Sequence, residues 1–254
     1  MKKINLNQVT NFVENNIQNF HQNRLKSLSE TELSDLLRKK NPYLFRAKNT
    51  ITAQDLVTSF LDAKLSSSEE KIFGDFLEDL AIYVAKNTLN ATKSASHGID
   101  FEFTKKGTRY IVSVKSGLNW GNSSQWKALE SDFKIAMRVL RQSHHINEVK
   151  GILGICYGRA STTLKRGIIL QVAGQNFWYM ISGDEQFYTK IINPLGYKVK
   201  ELNETFNVKK SEIINKFTKK FIEDFCDKDG KILWEKLVKF NSENLTERDK
   251  REFK

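Results

Sequence analysis

The sequence predicts an α/β (α+β) protein with a mixed central β-sheet flanked by helices, and three observations predict it. Apolar residues recur at helical spacing over long stretches at both ends of the chain. Two short alternating segments around a polar turn lie near the middle. A mostly apolar run, GILGICYG at 151–158, suits a buried strand. The order helices, hairpin, helix, strand, strand, helices is that of a sheet with a helical layer on each face. At 254 residues the chain can bury a substantial core.

Residues 1–50 read as an N-terminal helical segment. Leu6, Val9, Phe12, Val13, Ile17 and Phe20 form one helical stripe, and Leu25, Leu28, Leu33, Leu36 and Leu37 form the next. Thr31 is placed to cap the second helix, and Pro42 ends it, because the residue before a proline is pushed out of the α region. A core section follows over 51–200. One helix starts near Thr52, and Ser67 with Glu70 has the spacing of a capping box that opens another, running to about 88. Its face of Ile72, Phe73, Phe76, Leu77, Leu80, Ala81, Val84 and Ala85 is wide enough to require packing on a sheet. Glu78 lies among these residues, where a carboxylate is costly unless something uses it; the plainer reading is a surface acid at the edge of the stripe.

The hairpin comes next, with strands over 99–103 and 110–114 around Lys105-Lys106-Gly107. Asp100 in the first strand and Lys115 after the second reach the same edge of a sheet. A carboxylate for a hard cation beside a lysine that holds or activates a water is minimal equipment for phosphodiester hydrolysis. A polar loop at 116–124 then feeds a helix from about 123 to 142, with Trp126, Leu129, Phe133, Ala136, Met137 and Leu140 on one stripe. After a strand at 167–172 come helices over 184–225, broken at Pro194-Leu195-Gly196. The C-terminal helical segment, 201–254, contains an Asp-Lys-Asp-Gly turn and a helix over 231–240, and its charged tail is expected to fray. The three sections read as one continuous domain.

Lys and Arg number 41 against 30 Asp and Glu, a net charge of +11. A field of that sign favours a polyanion, nucleic acid first, although a Lys- and Asn-rich composition alone produces the same balance. Cys156 and Cys226 form no CxxC motif, which argues against a disulfide framework or structural zinc. No run approaches the roughly 18–20 apolar residues that cross a bilayer, and the N-terminus lacks a signal-peptide core, so a cytoplasmic protein with no membrane partner is expected. GxGxxG after a strand, GxxxxGK[ST] and GxSxG are all absent, and no nucleotide cofactor is expected.

The helix 67–88, Gly98-Ile99-Asp100, Ser113-Val114-Lys115, the phrase SGLNWGNSSQ and the helix after it resemble the PD-(D/E)XK nuclease superfamily, specifically type II restriction endonucleases. The segment 61–141 with 174–197 looks like one family of these enzymes. The resemblance implies a PD-(D/E)XK restriction-endonuclease-like core and Mg²⁺-dependent cleavage of double-stranded DNA at a short sequence, with Mn²⁺ as a substitute. Asp100 would bind the metal, the Val114 carbonyl would complete its shell and Lys115 would position the attacking water. Ile99 replaces the family's proline. Ser113 stands at the catalytic position of the second acid, an SxK variant, so one ligand must come from elsewhere. Glu78 on the preceding helix and Glu130 on the following one are equal candidates, with Asp132 behind Glu130. Glu102 is a third, since residues i and i+2 of a strand face the same way. DNA contacts are expected from Ser116, Asn119, Trp120, Asn122, Ser123, Ser124 and Gln125, because Asn and Gln read base edges while Ser and main-chain amides hold phosphates. The plainer reading is that Asn119, Trp120, Asn122 and Gln125 only shape a turn, that Asp100 is a solvated or turn residue near a strand start, and that Glu130 is an exposed helix acid paired with Lys127 or Lys134. Palindromic sites are read by two-fold symmetric proteins, so a homodimer is expected. Rival readings are a repair or junction-resolving nuclease of the same superfamily, a non-catalytic sequence-specific DNA-binding protein, and an RNA-binding protein.

Overall fold

The computed structural model describes residues 2–143, 146 and 148–253. Helices α1 (Leu6–Ser29), α2 (Leu33–Lys39), α3 (Pro42–Ala47) and α4 (Ala53–Leu89) precede strands β1 (Thr92–Lys93), β2 (Phe101–Lys105) and β3 (Thr108–Lys115). Then come α5 (Ser123–Ser143), β4 (Val149–Ile155), β5 (Thr163–Lys165) and β6 (Ile169–Ala173). Helices α6 (Gln175–Ser182), α7 (Phe187–Lys190), α8 (Ile192–Leu195), α9 (Val199–Phe225), α10 (Trp234–Ser242) and α11 (Glu247–Glu252) follow.

The strands form one mixed sheet in the order β1-β2-β3-β4-β6-β5. β3, β4 and β6 are parallel, and antiparallel strands flank them on both sides. Lys115 pairs with Ile155, and Ile155 with Ala173, so three carboxyl ends finish at one edge. β3 is apolar at successive residues because both its faces are covered. Phe76, Leu77, Leu80 and Val84 of α4 pack on Phe101, Phe103, Val112 and Val114. On the other face, Leu129, Phe133, Ala136 and Leu140 of α5 pack on Ile111, Leu153, Ile155 and Ile169.

The chain divides into two compact units, Met1–Phe20 with Lys71–Tyr197, and His21–Glu70 with Lys198–Lys254. The first holds the sheet. The second is helical, with its own core of residues such as Leu28, Leu56, Phe60, Phe217 and Phe221. Thus the first twenty residues join the sheet unit, while 21–50 and 51–70 join the helical one.

Several local expectations are corrected. The serines at 66–68 do not open a new helix: Ser67 Oγ donates to Ala63 O and Ser68 Oγ to Leu65 O, each at 3.0 Å, inside the continuous α4. Thr31 does not cap α2 either, since its hydroxyl donates back to Ser27 O at 2.7 Å and Glu32 is the N-cap residue. The Asp227–Gly230 turn forms as expected, with Asp227 Oδ1 accepting from the N–H groups of Asp229 and Lys231, but α10 starts only at Trp234. The tail forms α11 through a capping box between Thr246 and Asp249; Lys254 lies outside the described residues.

Phe101 is fully buried in the α4-side core and stacks at 6.4 Å on Phe103. Phe101→Ala should cost about 3–5 kcal/mol of stability, measured by denaturant unfolding. A loss under about 1 kcal/mol would mean that the sheet face is not packed as described.

Candidate active site

The site grows out of the place where the β2–β3 ladder stops. The N–H of Asp100 donates to Val112 O at 2.8 Å, the last main-chain bond on that side. One step further along β3, Asp100 Oδ2 takes the place of a main-chain carbonyl and accepts the N–H of Val114 at 2.5 Å. A strand residue turns its N–H and C=O to the same neighbour, and successive residues alternate. Lys115 turns its carbonyl to β4, where it accepts from the N–H of Cys156 at 2.9 Å. The Val114 carbonyl is therefore turned to the Asp100 side. The Lys115 side chain leaves the opposite face from Val114, with its Nζ 5.8 Å from the centre of the Trp120 ring.

Glu78 reaches the same place from α4. Burial, the charge of Asp100 and a hydrogen bond with Asp100 together push its pKa up to about 7, while the Lys115 ammonium opposes the rise. Cys156 lies behind these groups, and burial first, then the charges of Glu78 and Asp100, push its thiol up. Two half-buried carboxylates thus face each other, and the lysine only partly compensates them. A cation bound between them would displace the proton that Glu78 takes up as pH falls through about 7.

The other candidate acids have different partners. Glu130 pairs with Lys134 at 2.6 Å and Arg166 at 3.8 Å, and these partners lower its pKa. Asp132 meets His97 Nδ1 at 3.1 Å. Glu102 Oε1 pairs with Arg109 at 2.9 Å, and its Oε2 is buried with no partner among the described residues. Ser113 is wholly buried, and its hydroxyl likewise lacks a hydrogen-bond partner there. The structure therefore gathers Asp100, Glu78, Lys115 and the Val114 carbonyl, and keeps Glu130, Asp132 and Glu102 in other pairs.

In the loop, Asn122 Oδ1 accepts from the N–H groups of Ser124 and Gln125 at 3.1 Å, and Gln125 Oε1 accepts the Asn122 N–H at 2.9 Å. This closes the N-terminus of α5 as a cap and occupies those groups. Trp120 packs on Trp126 at 4.9 Å, with its Nε1 buried and without a hydrogen-bond partner among the described residues. Ser116 is half-buried and accepts the Tyr157 N–H at 2.9 Å, while Asn119 and Ser123 are exposed. Sequence reasoning considered Cys156 only for disulfides and zinc. Its position beside the acids follows from the parallel register of β3 and β4, which no local pattern encodes.

Among the described residues no three His, Cys, Asp or Glu side chains come together as a metal cage. The donors on offer are two carboxylates and one peptide carbonyl, all hard oxygens and few in number. That set fits Mg²⁺, which keeps several of its waters.

This sheet, with an acid entering one hairpin strand and a lysine leaving the next, defines a restriction-endonuclease-like core. The family model for type II restriction endonuclease EcoO109I matches residues 7–203, and the chain belongs to that family. No curated protein matches the chain. Among the described residues no helix is long and apolar enough to cross a membrane.

Because Glu78 rises from 4.5 to about 7, the folded protein holds this proton more tightly than the unfolded chain. Its stabilising contribution is full below the unfolded value and is lost as pH rises through the folded one. With Glu78 only half-buried and screened by solvent, the loss is on the order of 1 kcal/mol. In EDTA, thermal stability should fall between pH 5 and 8, and Glu78→Gln should flatten that slope. An unchanged slope in the variant would separate Glu78 from the acid pair.

Proposed function

We propose that this protein is a Mg²⁺-dependent type II restriction endonuclease that hydrolyses phosphodiester bonds in double-stranded DNA at a short specific sequence. The observation that carries the proposal is the meeting of Glu78 with Asp100 beside Lys115, where the Val114 carbonyl also turns. Asp100, Glu78 and that carbonyl would hold Mg²⁺, with Mn²⁺ as a substitute. The bound cation would polarise the scissile phosphate and lower the pKa of a coordinated water. The Val114 N–H fixes the orientation of the Asp100 carboxylate. Lys115 orients the attacking water and offsets charge that develops on the phosphate. Ser113 contributes no ligand in this scheme, and Glu78 supplies the acid that the SxK pattern lacks. A homodimer acting in the cytoplasm completes the proposal, and light scattering of the DNA-bound protein tests the dimer.

Incubation with phage-length duplex DNA tests the activity. Wild type should give discrete fragments with Mg²⁺ and none with EDTA. Lys115→Ala should lower the cleavage rate by at least about a hundredfold while a gel shift with the same DNA persists. Retained cutting by that variant would remove Lys115 from the mechanism. Intact DNA with a retarded band for wild type in both metal conditions would favour a non-catalytic binding protein, whereas cutting confined to branched DNA would favour a junction nuclease. Ser113→Ala should keep cleavage and leave stability unchanged or slightly higher, since it deletes a buried hydroxyl that has no partner among the described residues. A large loss of cutting in that variant would show that the hydroxyl takes part.

A further inference from the structure

A cleft of about 1150 Å³ in the sheet unit opens at the catalytic edge and extends from Leu77 and Cys156 to Arg159 and Asn176. We infer that Arg159 and Asn176 are specificity-determining residues that read base edges in duplex DNA, an inference that rests on the nuclease proposal. Both leave the sheet where the register brings the carboxyl ends of β4 and β6 level with Lys115.

The supporting backbone is fixed to the catalytic strand. The N–H groups of Cys156 and Tyr157 donate to the carbonyls of Lys115 and Ser116, each at 2.9 Å. Gly174 donates to Ile155 O at 2.9 Å and has a φ of +56°, and a Cβ there would lie 2.5 Å from Gly158 O. The two segments therefore meet main chain to main chain at Gly174 and Gly158, and the buried Trp178 indole, donating to Cys156 O at 2.8 Å, ties them again, so the backbone that presents Arg159 and Asn176 is firmly held.

The side chains on this backbone suit bases better than phosphates. The cleft lining contains no lysine and no acid among the described residues. Gln175 is committed, its Nε2 donating to Glu185 O at 2.9 Å. Arg159 and Asn176 are exposed, and neither side chain has a hydrogen bond or ion pair among the described residues. The planar fork of Arg matches O6 and N7 of guanine, and the Asn amide matches N6 and N7 of adenine. Tracking a phosphate backbone calls for point charges of the Lys type, and residues such as Lys105, Lys106 and Lys127 supply these outside the cleft.

The test starts from the site that wild type cuts, read by sequencing fragment ends. Cleavage rates are then compared on that site and on every single-base-pair substitution of it, over a range of salt concentrations. The enzymes compared are wild type, Arg159→Ala, Arg159→Lys and Asn176→Ala. Arg159→Ala should lower discrimination at one base pair by about 5- to 150-fold, with the salt dependence unchanged. Arg159→Lys should not restore it, because the bidentate fork is lost. Asn176→Ala should relax a different position. A uniform loss over all sequences, with the salt slope smaller by about one, would make Arg159 a phosphate contact and overturn the inference. Unchanged variants beside an active wild type would overturn it as well, leaving the nuclease proposal intact. A wild type that cuts no DNA with Mg²⁺ would overturn both.

Discussion

Asp100 and Glu78 carry like charges in a half-buried place, and that arrangement is the constraint on which the rest of the sheet unit depends. Two carboxylates that converge in this way repel, and the repulsion is relieved by a shared proton or by a cation. The fold tolerates it because the groups come from elements that are anchored elsewhere. Glu78 sits on α4, whose neighbouring residues Leu77 and Leu80 are buried against the sheet, and Asp100 is tied to β3 through two hydrogen bonds. The resulting strain is local, at the edge where the ladder ends.

β3 decides which groups meet there. It is buried on both faces from Ile111 to Val114, and Lys115, its last residue, is where its side chains reach solvent again at this edge. The parallel pairing with β4 and β6 then places the following loops beside it. The same edge therefore holds the acids, the lysine and the cleft, as expected for sheets that bind ligands outside the carboxyl ends of their parallel strands.

Much of this was legible in the sequence, for physical reasons that differ by element. The hairpin was readable because alternation and a Lys-Gly turn encode it within a few residues, and α5 because its apolar stripe is narrow and regular. The continuity of α4 was not: a serine run reads as a helix start, yet hydroxyls can bond back to carbonyls one turn earlier and leave the helix unbroken. β1 and β5, two and three residues long, carry no periodicity at all. Within the site, Asp100 and Lys115 could be selected from spacing. Glu78 and Glu130 could not be ranked, because each lies on a helix whose contacts are set by tertiary packing. Only in the fold do Lys134 and Arg166 hold Glu130 while Glu78 meets Asp100. The division of the first seventy residues between two units was likewise invisible, since the helical pattern runs on through Phe20 without a break.

The central claim is that Glu78 completes the metal site. Calorimetric titration of Mg²⁺ and Mn²⁺ into wild type, Glu78→Gln and Glu130→Gln tests it most directly, with the folding of each variant checked by thermal unfolding. The account predicts that Glu78→Gln loses the binding heat while Glu130→Gln keeps it. The reverse pattern, binding lost in Glu130→Gln and retained in Glu78→Gln, would contradict it and place the second ligand on α5.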